Sequence, residues 1–137
     1  MSLFRVFDIS ATAMSAQSMR LNTIASNLAN AEVTAGSAEE IYRARYPVFS
    51  AALDSSMTDQ VGVGVRVDGV VESTVEARRQ YSPGHPLADE EGFVYMSNVN
   101  TVEEMANMIS ASRSYQGSVE AMNTTKQLIL RTLSLGN

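Results

Sequence analysis

The residues that could do chemistry in this chain are few and poorly placed for it. His85 is the single histidine and lies between Gly84 and Pro86 with no nucleophile beside it, so it reads as part of a turn. Gly62 and Gly64 begin a Gly-x-Gly pattern, but position 67 is Val where a phosphate fingerprint needs glycine, and no helix pattern follows. They read as a strand surface that must stay small. Asp89-Glu90-Glu91 could attract a cation but lacks the spaced oxygen ligands of a calcium loop, which leaves a solvated turn. The absence of cysteine excludes disulfides, thiolate metal sites and a cysteine nucleophile. No catalytic residue, cofactor or metal site is assigned, and no enzyme is expected.

The chain offers two similar ends instead. Steps of four and three from Phe7 pick out Ala11, Met14, Ser18, Leu21, Ala25 and Leu28, with Ile24 widening the stripe. The same stepping from Met105 gives Met108, Ser112, Tyr115, Val119, Met122, Lys126, Ile129 and Leu133. Both are coiled-coil-like seams. Thr101 followed by Glu104 has the capping-box pattern, and Gly136 stands where a glycine would close the second helix. At 1.5 Å per residue the two helices would run roughly 40 Å and roughly 50 Å.

The outer face of the first helix is unusual. Its charges are Arg5, Asp8 and Arg20, and the rest is Ser10, Ser15, Gln17, Asn22, Thr23, Ser26, Asn27 and Asn30. Solvated helices favour Glu and Lys, whereas Ser, Thr and Asn compete for backbone hydrogen bonds. Such a face suits close packing against another protein surface, and a two-helix pair leaves much apolar stripe uncovered. Assembly is therefore expected before catalysis.

Charge is uneven along the chain. Residues 1–31 sum to +1 and residues 101–137 to zero, so of the net −5 the middle carries −6. No basic stripe exists for nucleic acid, and the apolar runs fall far short of a membrane span. Asp8 interrupts the only apolar stretch that could begin a secretory signal, so no such signal is expected.

The middle reads as strands and loops. Residues 35–40 look like a solvated linker. Tyr42, Ala44, Tyr46 and Val48 alternate with Arg43, Arg45 and Pro47, which predicts a half-buried strand at a sheet edge. Residues 54–60 read as a loop. Val61, Val63, Val65 and Val67 alternate in a phase that persists to Val71 and Val75, the best strand signal in the chain. Ser82-Pro83-Gly84-His85-Pro86 predicts a turn in which Gly84 can take the positive φ of a type II turn. Phe93–Met96 predicts a short further strand. The fold class is α+β: long N- and C-terminal helices paired as a coiled-coil-like unit, with a small β-rich middle insertion of three or four strands. The expected division is 1–34, 35–97 and 98–137.

The run from Leu21 to Ala31, Leu-Asn-Thr-Ile-Ala-Ser-Asn-Leu-Ala-Asn-Ala, resembles the asparagine-rich motif of bacterial flagellar axial proteins. The run from Asn98 through Met105, and on through Tyr115-Gln116 to Leu135-Gly136, is similar to the proximal-rod members of that family. The turn at Tyr81–Pro86, with Ala88-Asp89 and Gly92-Phe93-Val94 after it, resembles their middle region. Many axial proteins follow the asparagine motif with Asn-Thr-Pro-Gly-Tyr and a basic residue. Here Ala31-Glu32-Val33-Thr34 follows instead, and Tyr42-Arg43-Ala44 comes only after an inserted 36–40 stretch, which favours the proximal-rod group over hook or distal-rod proteins.

The resemblance implies a structural subunit of the flagellar basal-body rod. It implies a tube whose inner wall is built of terminal helices, with the middle domain outside. Implied partners are copies of itself, adjacent proximal and distal rod subunits, a basal-body adaptor at the rod base, and the flagellar type III export apparatus during transit, without signal cleavage. Neither nucleic acid nor direct membrane insertion is expected. The expected interface residues are Phe7, Met14, Leu21, Ile24, Leu28, Met105, Met108, Tyr115, Val119, Met122, Ile129 and Leu133. Asn22, Asn27 and Asn30 of the motif would be caps or cross-subunit hydrogen-bonding groups, or mark a plain helix terminus around Asn30. The alternative is a soluble helical oligomeric adaptor or chaperone-like module of a secretion apparatus.

Overall fold

A computed structural model describes residues 3–53 and 62–135. The chain is α+β, with elements in the order α1 (Leu3–Ala29), β1 (Thr34–Ala35), β2 (Arg45–Ala52), β3 (Gly64–Glu72), β4 (Arg78–Tyr81), β5 (Phe93–Met96) and α2 (Thr101–Leu135). The strands form two sheets, one ordered β1-β5-β4 and the other made of β2 and β3 alone. In the three-stranded sheet both pairings are antiparallel, with Thr34 opposite Met96 and Arg78 opposite the same residue from the other side.

Two compact units divide the chain. One comprises Met1–Leu21, Pro47–Gly69 and Ser110–Asn137; the other comprises Asn22–Tyr46 and Val70–Ile109. In the second unit Ala31, Ala44 and Val99 form a small buried cluster against which Tyr42 packs. In the first, Thr12 on α1 meets β3: its Oγ1 donates to Ile9 O at 2.8 Å and accepts from Val65 N at 3.2 Å. A Cβ on Gly64 would lie 2.9 Å from that same oxygen, so the glycine is required by close approach. Arg5 Nη2 adds a bond to Gly62 O at 3.1 Å.

Both helices lie where the periodicity predicts, but four local expectations need correction. Asn100, not Thr101, caps α2: its Oδ1 accepts from Val102 N at 3.1 Å and Glu103 N at 3.3 Å. Glu104 is therefore free of any capping box and is buried elsewhere. The alternation at Tyr42 starts too early, because Tyr42 and Ala44 precede β2 and belong to the packed junction described below. Pro47 does sit in a two-stranded ribbon, where each strand is an edge.

The turn at Ser82 closes through His85 N to Ser82 O at 3.0 Å, but Gly84 keeps negative φ. The positive φ falls on Gly92 instead, at 83°, where Asp89 Oδ1 accepts from Glu91 N and Phe93 N to shape the bend before β5. The 35–40 linker is only partly solvated, since Ala35 pairs with Tyr95. β4 had no alternation to announce it. The expected loop at 54–60, Val61 of the valine strand and the closing Gly136 lie outside the described residues.

Candidate assembly interface

The side chains that the helices bury fully are mostly small or polar, and several large apolar ones are exposed. On α1 the buried residues are Ser10, Ala16, Thr23, Ile24 and Asn27; on α2 they are Glu104, Ala111 and Thr125. Steps of four and three join Glu104, Met108, Ala111, Tyr115, Ser118, Met122, Thr125 and Ile129, all of them buried or half-buried. This inward stripe shares its large line, Met108, Tyr115, Met122 and Ile129, with the expected one. Its second line runs one residue earlier than the expected Met105, Ser112, Val119 and Lys126. Small groups there let helix axes approach, and buried hydroxyls are satisfied on their own helix: Ser10 Oγ donates to Val6 O at 2.9 Å and Thr125 Oγ1 to Ala121 O at 2.8 Å.

The other expected interface residues are distributed as follows. Ile24 is buried; Met14, Leu21, Leu28 and Val119 are half-buried. Phe7, Met105 and Leu133 are exposed, the last by 64%. Leu128, Leu130 and Leu135, which the heptad stepping did not select, are exposed as well. In the first unit Phe4 and Phe7 of α1 line a hollow of about 220 Å³ with Lys126, Ile129 and Leu130 of α2.

The motif asparagines have three different settings. Asn22 is exposed. Asn30 finishes α1, its Nδ2 donating to Ser26 O at 2.8 Å. Asn27 is fully buried and uses its whole hydrogen-bonding capacity within the chain. Its Nδ2 donates to Arg45 O at 2.9 Å and to Glu104 Oε2 at 3.0 Å. Its Oδ1 accepts from Tyr42 OH and from Arg45 N, each at 2.9 Å. Because the Tyr42 proton is spent on Asn27, Ser26 Oγ must be the donor in its 3.2 Å contact with the phenol.

One residue further back, Asn98 does the same work. Its Oδ1 accepts from Ala44 N at 2.8 Å while its Nδ2 donates to Val75 O at 2.7 Å. Two amides thus satisfy Ala44 N and both backbone groups of Arg45, where the chain enters β2, while Ala44 O accepts from Ser73 N at 2.7 Å. Glu104, 1% exposed, has no hydrogen-bond partner for its second oxygen, Oε1, within the described protein. Partial burial raises the Tyr46 phenol above its ordinary value, with the negative charges of Glu104 and Glu103 adding to the effect. Sequence reasoning singled out Asn27 by motif but missed Tyr42, Asn98 and Glu104 as its companions, since no local spacing links positions 27, 42, 98 and 104.

The groups of this site pack and hydrogen-bond within the chain. Among the described residues no cluster of His, Asp or Glu could hold a metal, and no helix is long and apolar enough to cross a membrane.

Known proteins match this chain along its whole length. A family described as flagella basal body rod protein matches residues 7–36, and one described as flagellar basal body rod FlgEFG protein C-terminal matches residues 90–135. The flagellar basal-body rod protein FlgC of Yersinia enterocolitica is 49% identical over 136 residues, covering 99% of both chains. The chain belongs to the FlgC family of flagellar basal-body rod proteins. Its FlgC relative in Salmonella typhimurium is 48% identical with the same coverage, and that of Buchnera aphidicola from Acyrthosiphon pisum is 39% identical over 98% of each chain. FlgC proteins are structural components and not enzymes, which accords with a site made of packing groups.

Proposed function

We propose that this chain is a structural subunit of the flagellar basal-body rod, in its proximal part, and that its terminal helices join it to copies of itself and to adjacent rod subunits. The observation that carries this reading is the inversion of side-chain size on those helices. Of the described apolar residues on the two helices only Ala16, Ile24 and Ala111 are buried, while Phe4, Phe7, Val102, Met105, Ile109, Leu128, Leu130, Leu133 and Leu135 are exposed. Burying one such side chain is worth about 1.5–3 kcal/mol, so neighbouring subunits gain most by covering them. Residues 1–34 and 98–137 then form the assembly core, with the middle region 35–97 outside it. Ile24, Met108, Tyr115, Met122 and Ile129 serve packing within the subunit, whereas Phe7, Met105 and Leu133 serve contacts between subunits.

In this reading the chain travels through the flagellar type III export apparatus without cleavage of a signal, and meets a basal-body adaptor at the rod base. The test is a strain lacking this gene, complemented with the intact chain. Complementation should restore hooks and place the chain in purified basal bodies. Motile cells without the chain, or its absence from basal bodies of complemented cells, would refute the reading.

A further inference from the structure

We propose that the open helix end of the first unit docks on the acidic stretch Val71–Glu76 of a second copy of this chain, a head-to-tail contact that rests on the rod reading above. The donor surface is apolar and basic. Phe4, Phe7 and Leu130 are exposed where they line the 220 Å³ hollow with Lys126, and Arg131 and Leu133 are exposed further along α2. From Ala121 to Leu135 α2 carries those two cations and no carboxylate, in a chain whose net charge is −5.

The receiving surface has the complementary character. Val71 and Val75 are 52% and 64% exposed, and they are interleaved with exposed Glu72 and Glu76. Glu72 is engaged by Arg45 at 3.0 Å, but both side chains stay about half exposed, so the stretch remains accessible. A valine side chain suits the apolar hollow, and the flanking glutamates then face Lys126 and Arg131. Two copies of the basic helix end would repel each other, so a symmetric end-to-end pair is disfavoured. A contact between two different patches of identical chains does not close on itself in a pair, and it propagates along a helical assembly.

The chain contains no cysteine, which makes cross-linking a clean test. Cells carrying Leu133→Cys with Val75→Cys as their only copy are oxidised, and purified basal bodies are run on a non-reducing gel. A ladder of dimer, trimer and higher species is expected, with neither single substitution giving any cross-link. A monomer band from basal bodies that contain the chain overturns the docking proposal alone. A cross-link to a protein of another mass, or a dimer from one single variant, also overturns it. Absence of the unsubstituted chain from basal bodies overturns the rod reading and the proposal with it, whereas absence of the double variant alone, with either single variant incorporated, overturns the docking proposal only. As a second measurement, Lys126→Glu with Arg131→Glu should cut hook number by ~10-fold, because like charges across a contact oppose it. Adding Glu76→Lys should recover part of that loss, and no recovery counts against the pairing.

Discussion

Asn27 Nδ2 donates to Glu104 Oε2 at 3.0 Å, joining side chains 77 positions apart that are both shut off from solvent. The same amide holds Arg45 by both of its backbone groups and takes the Tyr42 proton. One residue of the axial motif thus links α1, the entry to β2 and α2. Asn27→Ala would leave Arg45 N and O, the phenol and the carboxylate short of a partner, the last of them in a site closed to solvent. Each buried orphan costs roughly 1–3 kcal/mol, so the variant should lose at least ~2 kcal/mol. Asn30→Ala removes one bond at a helix end and should cost under about 1 kcal/mol. Urea denaturation of the purified variants compares them, and equal costs would contradict the assigned roles.

Glu104 carries a buried carboxylate with one oxygen that has no partner among the described residues. Glu104→Gln keeps an oxygen to accept from Asn27 and removes the charge, so stability should hold or rise. Glu104→Ala leaves the Asn27 N–H orphaned and opens a cavity, and should cost about 2 kcal/mol or more. Thermal melts at one neutral pH decide it. A Gln variant as damaged as the Ala variant would mean that the charge itself is needed.

Tyr46 supplies a pH dependence of known sign. Its phenol is raised above the usual value of 10.0, first by burial and then by Glu104 and Glu103. The folded chain therefore binds the proton more tightly than the unfolded chain does. The resulting stability is fully present below the unfolded pKa and is lost as pH rises through the folded one. Melting temperature should fall as pH rises above 10.0, and Tyr46→Phe should flatten that fall relative to the parent. An identical alkaline decline in both proteins would remove Tyr46 as the cause.

The helices were legible in the sequence because their spacing repeats over many turns, and β3 and β5 because valine alternation and a glycine boundary mark them. The inward face of the helices was misjudged for a physical reason. Periodicity arguments assign large apolar side chains to the inside, and here Ala111, Ser118 and Thr125 are turned inward while Met105 and Leu133 stand out in water. A subunit that buries its large residues against neighbours reverses the usual rule. The cap was misplaced by one residue because Asn100 and Thr101 are both good caps, and only geometry distinguishes them. The Asn27 junction lay beyond reach, since its four members meet only through tertiary packing.

The same reversal yields the last prediction. Leu133 is 64% exposed in the subunit, so Leu133→Asp should change the stability of the purified chain by no more than about 0.5 kcal/mol. Buried against a neighbour, an aspartate without a partner would cost several kcal/mol. The proposed export route handles an extended chain, so one substitution in the last turn of α2 should leave secretion unchanged. The expected outcome is a secreted, normally folded subunit that fails to enter the rod, giving cells without hooks. Glu120→Gln, also exposed on α2, serves as the control and should leave hook number unchanged. Counting hooks and secreted subunit in the same strains separates the possibilities. Normal hook number with Leu133→Asp would show that this face stays in solvent after assembly, and the contact between subunits would have to lie elsewhere on the helices.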